Sequence, residues 1–164
     1  MASFEILKKL EKKYRLKVLH YPDFLLKLMR TFGVENVTID LNKFILMDTN
    51  NVNSLTEEQL EATFVHEKVH ETRNKGNFPN VMSWYLRYIF SRKFRFEEEA
   101  EAYAREISFL ISQKKNKETF LQNIDYYARI MAGDTYKAFW ESKGMCTFDE
   151  AKKKLLELVQ EGMK

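Results

Sequence analysis

The stretch SLTEEQLEATFVHEKVHETR, residues 54–73, predicts the central helix of this protein. It contains HEKVH at 66–70, in which two histidines stand four residues apart and a glutamate directly follows the first. Residues four apart lie one turn apart on the same helix face, so both imidazoles can bind one metal ion. The glutamate lies about 100° further round the helix, from where its carboxylate can reach a water beside that metal.

The start of this helix is marked twice in the sequence. Ser54 stands three residues before Glu57, and Thr56 stands three residues before Gln59. Each pair can form a capping box, in which the hydroxyl accepts from one backbone N–H and the acid or amide from another. The sequence therefore predicts a helix that opens near Ser54 and runs to about Arg73.

This helix carries apolar residues on two of its sides. One stripe lies directly beside the two histidines, and it consists of Ala62, Val65 and Val69. Leu60 and Phe64 lie on another side. A helix that is apolar on two sides is typical of a central, packed position. The alternative, a solvated helix with two surface histidines, fits this pattern less well.

A third protein ligand must come from elsewhere, because catalytic zinc is commonly held by three side chains and a water. The sixth residue after the second histidine is Gly76 rather than histidine, which excludes the metzincin pattern. The obvious source is the acidic segment FRFEEEAEAYA at 94–104.

Helical periodicity ranks the glutamates of this segment. The buried stripe of the helix is defined by four bulky residues, Phe96, Tyr103, Ile107 and Leu110. Glu99 lies within about 50° of that stripe, which favours it as the inward carboxylate and metal ligand. Glu97 lies farther off and is the alternative ligand, whereas Glu98 and Glu101 fit a solvated acidic face.

Other side chains that can carry chemistry also have structural interpretations. The Tyr103 hydroxyl could act in catalysis by polarising a substrate carbonyl, but a tyrosine on such a stripe more often packs in the core. The aromatic residues along 84–90 are typical of a core stripe, a share of which could line a substrate cleft. Arg92, Lys93 and Arg95 are predicted to form a small solvated basic cluster.

The rest of the sequence predicts a mainly helical α+β protein. Only 5 Gly and 2 Pro occur among 164 residues, and this scarcity of turn formers favours long helices. The β-rich segments 37–40 and 44–47 predict a hairpin, and 15–20 predicts a further strand. The remaining helices are predicted from about Ser3, from Pro22 to Gly33, and over 81–91, 94–113, 117–131, 135–141 and 148–162.

Composition excludes several classes of partner. The 27 basic and 24 acidic side chains leave a net charge of only +3, so no nucleic-acid partner is expected. No apolar run approaches the roughly 20 residues of a spanning helix, so no membrane association is expected. The single cysteine, Cys146, and the lack of an apolar leader at the N-terminus favour a cytoplasmic location.

The two motifs together resemble a known family. HEKVH at 66–70, followed at a distance by EAEAY at 99–103, is similar to the minimal gluzincin-type metallopeptidases of bacteriophages and prophages. The resemblance extends to WYLRY at 84–88, to FR at 94–95 and to the tail around 134–151. It covers roughly residues 36–155.

The resemblance implies a zincin-like core that holds one Zn²⁺ ion. Its ligands would be His66, His70 and the first glutamate of the Glu-x-x-Ala pattern, with Glu67 as general base. That pattern fits in two registers, beginning at Glu99 or at Glu97. Gluzincins often carry aspartate four residues after the ligand glutamate, and this chain departs from them with Tyr103.

These observations predict one zincin-like domain over 1–164, in which a small β-hairpin or sheet packs on a helical core around the metal-binding helix. Its parts are an N-terminal segment at 1–35, the hairpin and metal-binding helices at 36–113, and C-terminal helices at 114–164. The expected activity is that of a zinc metallopeptidase, a hydrolase of peptide or protein substrates in the cytoplasm, or in the host cytoplasm if the chain is phage-encoded. The alternative is a non-catalytic zinc-binding or helical interaction module. The sequence does not specify the substrate, activation, biological role or oligomeric state.

Overall fold

A computed structural model of the chain describes residues 4–22, 39–41, 43–47, 49–74, 78–114, 117–133 and 144–162. Helices dominate these residues and a small sheet accompanies them, which confirms the predominantly helical α+β class. Backbone proximity divides the chain into two compact units, Met1–Arg73 and Asn74–Lys164. The zincin-like core and the single domain over 1–164 stay predictions.

The described part of the first unit combines helices with a three-stranded sheet. Its elements are α1 (Phe4–Tyr14), β1 (Lys17–His20), β2 (Ile39–Leu41), β3 (Phe44–Met47), α2 (Thr49–Ser54) and α3 (Glu57–Arg73). The strand order is β1-β3-β2, with β1 parallel to β3 and β2 antiparallel to it. The β2–β3 pair is the predicted hairpin, and β1 lies within the strand predicted at 15–20.

Helix α3, which carries the 66–70 motif, packs against α1 and against β2. The core that these elements share consists of Leu7, Leu10, Leu16, Ile45, Met47, Val52, Leu60 and Phe64. Tyr14 of α1 reinforces this packing, because its ring lies 5.8 Å from the Phe64 ring and its hydroxyl donates to Glu61 at 2.9 Å. On another side of α3, Ala62 is also buried. The predicted burial on two sides is confirmed for Leu60 and Phe64 and for Ala62, whereas Val65 and Val69 of the second stripe are half-buried.

The second of the two candidate capping boxes opens α3. The backbone N–H of Gln59 donates to Thr56 Oγ1 at 3.2 Å, and the N–H of Thr56 donates to Gln59 Oε1 at 3.0 Å. Ser54 instead ends the short helix α2. Because the first N–H groups of a helix lack partners within it, this reciprocal pair fixes the start of α3 at Glu57.

The described part of the second unit is helical. Its elements are α4 (Phe78–Phe90), α5 (Arg92–Lys114), α6 (Lys117–Ala132) and α7 (Phe148–Gly162). Helices α5, α6 and α7 pack on one another around a core that includes Ala100, Ile107, Ile124, Ala128, Met131, Leu155 and Val159. Thr147 and Glu150 form a capping box at the start of α7, with Thr147 N–H donating to Glu150 Oε2 at 2.7 Å. The helices predicted at 22–33 and 135–141 fall outside the described residues, apart from Pro22.

The corner between α4 and α5 is held by a buried arginine. Arg95 Nη1 donates to the backbone carbonyls of Tyr88 and Ile89, at 2.8 and 3.0 Å. The last carbonyls of a helix have no partner within it, so a guanidinium is well suited to bind two of them. The prediction of a solvated Arg95 is therefore wrong, whereas Lys93 is exposed as predicted.

None of the helices α1 to α7 combines the length and the hydropathy that crossing a bilayer requires.

Candidate metal centre

The two histidines of the 66–70 motif face each other on α3. Their Nε2 atoms are 3.2 Å apart, and their ring centroids are 5.0 Å apart at an interplanar angle of 71°. In a tetrahedral zinc site with Zn–N bonds of 2.0–2.1 Å, two nitrogen ligands lie about 3.3 Å apart. The spacing of these imidazoles is thus the spacing that a shared zinc ion requires.

A carboxylate completes a set of possible metal ligands. His66, His70 and Glu99 each offer one ligand atom, and these atoms lie within 4.8 Å of one another. The three residues are 7%, 4% and 2% exposed, respectively. This buried group could hold a metal ion. Two imidazoles and a carboxylate suit zinc and several other first-row metals, so the donor set leaves the identity of the metal open.

The structure separates the two glutamates that compete for the third ligand position. Glu99 is buried, as its helical position predicts, whereas the Glu97 side chain is 49% exposed. Glu97 Oε1 lies 4.0 Å from Lys93 Nζ, one turn earlier on α5. The inward orientation of Glu99 is confirmed, and its role as a metal ligand stays a prediction.

Glu98, the neighbour of Glu99, is also buried, and the prediction that it is solvated is wrong. Trp84 of α4 donates its Nε1–H to Glu98 Oε2 at 3.3 Å. A hydrogen-bond donor of this kind reduces the cost of burying a carboxylate. Glu101, predicted to share the solvated face, is half-buried.

The aromatic stripe on α4 has a polar function that the sequence did not indicate. The Tyr88 hydroxyl donates a hydrogen bond to Glu99 Oε1. The rings of Trp84 and Tyr88 stack, with centroids 5.1 Å apart and an interplanar angle of 17°. Both side chains are half-buried, whereas Phe90 at the end of the stripe is exposed. Trp84 and Tyr88 therefore each donate to a glutamate of α5.

Glu67, the predicted general base, is buried on α3, and sequence reasoning missed a tyrosine near it. Tyr21 directly follows β1 and its N–H donates to the Met47 carbonyl at 3.4 Å. Burial, together with the charge of Glu67, raises the pKa of the Tyr21 phenol. Its buried hydroxyl has no hydrogen-bond partner among the described residues. No spacing in the sequence relates two residues so far apart along the chain.

Tyr103, the weaker catalytic candidate, lies in the core of the second unit. Its ring centroid is 4.7 Å from that of Tyr127, and both tyrosines belong to the core cluster that includes Ile107 and Leu155. The packing interpretation of Tyr103 is confirmed, and its catalytic role stays a prediction.

Comparison with known proteins does not assign the chain to a family. A scan of protein-family models, a search of curated proteins and a search of solved structures each returned no match. The gluzincin resemblance thus rests on the sequence itself, on the motifs at 66–70 and 99–103 and on the further segments at 84–88, 94–95 and 134–151.

Proposed function

We propose that this protein is a zinc-dependent peptidase. The observation that carries the proposal is the buried group formed by His66, His70 and Glu99, whose ligand atoms lie within 4.8 Å of one another. Glu67, the residue directly after the first histidine, is buried on the same helix. This combination of donors with an adjacent carboxylate is what metal-assisted hydrolysis of an amide requires.

Each of the candidate site residues would have a separate role in hydrolysis. His66, His70 and Glu99 would hold the zinc ion, which supplies a Lewis acid when bound. Glu67 would accept the proton of the attacking water and deliver it to the nitrogen of the leaving amine. Burial strengthens each of these electrostatic interactions, because water screens them less.

The Glu67→Gln variant tests the proposal, since glutamine keeps the shape of glutamate but cannot take a proton. Zinc-loaded wild type and variant are incubated with a broad peptide library, and cleavage products are identified by mass spectrometry. We expect cleavage by the wild type and a loss of roughly 10²- to 10⁴-fold in the variant, with equal zinc content. Equal rates in the two proteins, or no cleavage by zinc-loaded wild type, would contradict the proposal.

Glu71→Gln is the matched control for this experiment. Glu71 is a buried carboxylate on the same helix, one turn after Glu67, and it pairs with Lys68 at 2.7 Å. The change removes a charge of the same kind from a similar depth. We expect this variant to retain cleavage, which would tie the loss in Glu67→Gln to proton transfer rather than to helix stability.

Burial of the ligand group favours a second candidate, a non-catalytic zinc site. Structural zinc sites are closed to solvent, whereas catalytic ones keep a position open for water. In this case zinc binds stoichiometrically, its removal destabilises the fold and no peptide is cleaved. A metal-free helical module is the remaining alternative, because two imidazoles 3.2 Å apart can also share a hydrogen bond. Elemental analysis of the purified protein separates this last alternative from the other two.

A further inference from the structure

We propose that Tyr88 is a positioning residue that holds the Glu99 carboxylate in its metal-binding orientation. This inference rests on the metal centre of the proposed function, but it does not require that the centre be catalytic. Tyr88 would contact the ligand Glu99 and not the metal itself.

The hydrogen bond between the two side chains provides the first argument. The Tyr88 hydroxyl donates to Glu99 Oε1, and a carboxylate has two oxygens, so one can accept this bond while the other binds a metal. Glu99 is buried, where a donor to its charged form counts for more than at the surface. A hydrogen-bond partner that contacts a metal ligand, rather than the metal, fixes the orientation of that ligand.

The position of the Tyr88 ring is itself fixed by Trp84. The two rings stack at 5.1 Å, and Trp84 Nε1–H donates to Glu98, the residue before Glu99. Two stacked aromatic residues one turn apart on α4 thus donate to two consecutive buried carboxylates on α5. This repeated pairing restricts the phenol more than one isolated hydrogen bond would.

The backbone of Tyr88 is also tied to α5. Arg95, four residues before Glu99, donates Nη1 to the carbonyls of Tyr88 and Ile89. At the same corner, the Arg87 guanidinium lies 4.0 Å from the centre of the Phe94 ring. The Tyr88 phenol and the Glu99 carboxylate therefore lie at one packed corner, formed by the end of α4 and the first half of α5.

The Tyr88→Phe variant tests this inference, because it removes only the hydroxyl and retains the stacked ring. Zinc affinity of the full chain is measured by competition with a chromophoric chelator. We expect the variant to bind zinc about 10- to 100-fold more weakly than the wild type. The absorption spectrum of the cobalt(II) form supplies a second readout, since a loosened carboxylate changes its intensity. Tyr85→Phe is the control, since its ring meets Trp84 edge-on at 5.3 Å, and it should leave affinity unchanged.

A double variant separates positioning from a general loss of stability. In a Glu99→Ala background there is no carboxylate to orient, so adding Tyr88→Phe should cause no further loss of zinc affinity. Zinc affinity equal to that of the wild type in Tyr88→Phe would overturn the inference. So would a loss of zinc affinity on adding Tyr88→Phe to Glu99→Ala that is as large as the loss in the wild-type background. Either result would leave the peptidase proposal in place. Absence of zinc binding by the wild type would overturn both. Peptide cleavage abolished by Glu67→Gln but zinc affinity unaffected by Tyr88→Phe would overturn only the inference.

Discussion

Replacing Glu99 by alanine should remove most of the stabilisation that zinc gives to the folded chain, whereas replacing Glu97 should not. Glu99 is 2% exposed and belongs to the ligand group, but the Glu97 side chain is 49% exposed and lies beside Lys93. The two residues lie two positions apart in one acidic segment of α5 and undergo the same chemical change. Each variant therefore serves as the control for the other.

The size of the effect follows from linkage between binding and folding. At a free zinc concentration 100 times the dissociation constant, a ligand bound only by the folded state stabilises it by about 2.7 kcal/mol. For a chain of this length, 1 kcal/mol shifts the melting temperature by roughly 2–4 °C, so zinc should raise it by about 5–11 °C in the wild type.

The same arithmetic applies to the variants. Substitution of a residue that hydrogen-bonds to a metal ligand lowers metal affinity by up to about 100-fold, and losing a ligand itself should lower it at least as much. At the same free zinc, Glu99→Ala then retains about 0.4 kcal/mol, a shift of only about 1–2 °C. Glu97→Ala loses one exposed ion pair, worth about 0–1 kcal/mol, and should keep the full zinc-dependent shift.

Thermal unfolding followed by circular dichroism, with free zinc held constant by a metal buffer, measures these shifts directly. Chelator-treated samples of each variant give the metal-free reference and remove any effect of the substitution on the metal-free fold. A full shift in Glu99→Ala with a lost shift in Glu97→Ala would refute the periodicity argument for Glu99. No shift in the wild type would refute the metal centre altogether.

Two further predictions concern residues away from the candidate metal centre. Burial raises the pKa of the Cys146 thiol to about 11, so little thiolate is present at pH 8. Its alkylation by iodoacetamide should accelerate about tenfold per pH unit until the pH nears 11, and a rate that levels off below pH 9 would contradict this. Thr56→Ala removes the hydroxyl that accepts from the Gln59 N–H and should lower the free energy of unfolding by about 0.5–2 kcal/mol, measured by urea denaturation. Thr63→Ala, at an interior position of the same helix, is its control, and equal losses would argue against the cap.

Local rules predicted the elements and their orientations well. Capping chemistry located the start of α3 near residue 54, but Ser54–Glu57 and Thr56–Gln59 have the same pattern, and only the structure selects the second. Helical spacing brought His66 and His70 to one face and turned Glu99 inward. These properties depend only on residues within one or two helical turns of each other, so the spacing of residues in the sequence is enough to predict them.

Burial of Glu98 and Arg95 shows where such reasoning stops. Periodicity on a single helix identifies the direction of its apolar stripe, but not how many of its sides another element will cover. Helix α4 packs on α5 and brings the Trp84 donor to Glu98. The same packing brings the last backbone carbonyls of α4 to the Arg95 guanidinium. A charged residue that looks solvated in sequence can therefore be buried wherever a second helix supplies its hydrogen-bond partner.

The same limit explains why the sequence identified the candidate metal-binding residues but missed the residues near them. A metal site restricts the type and spacing of its ligands, so 66–70 and Glu99 could be recognised as candidates from their own segments. A donor to a ligand carboxylate needs only a hydroxyl at the right place, and any nearby helix can supply it. Tyr88 meets Glu99 across the α4–α5 corner, and Tyr21 lies near Glu67 although the two are 46 positions apart in the chain. Because the chemistry of such residues is common and their placement is tertiary, they can be found only once the fold is known.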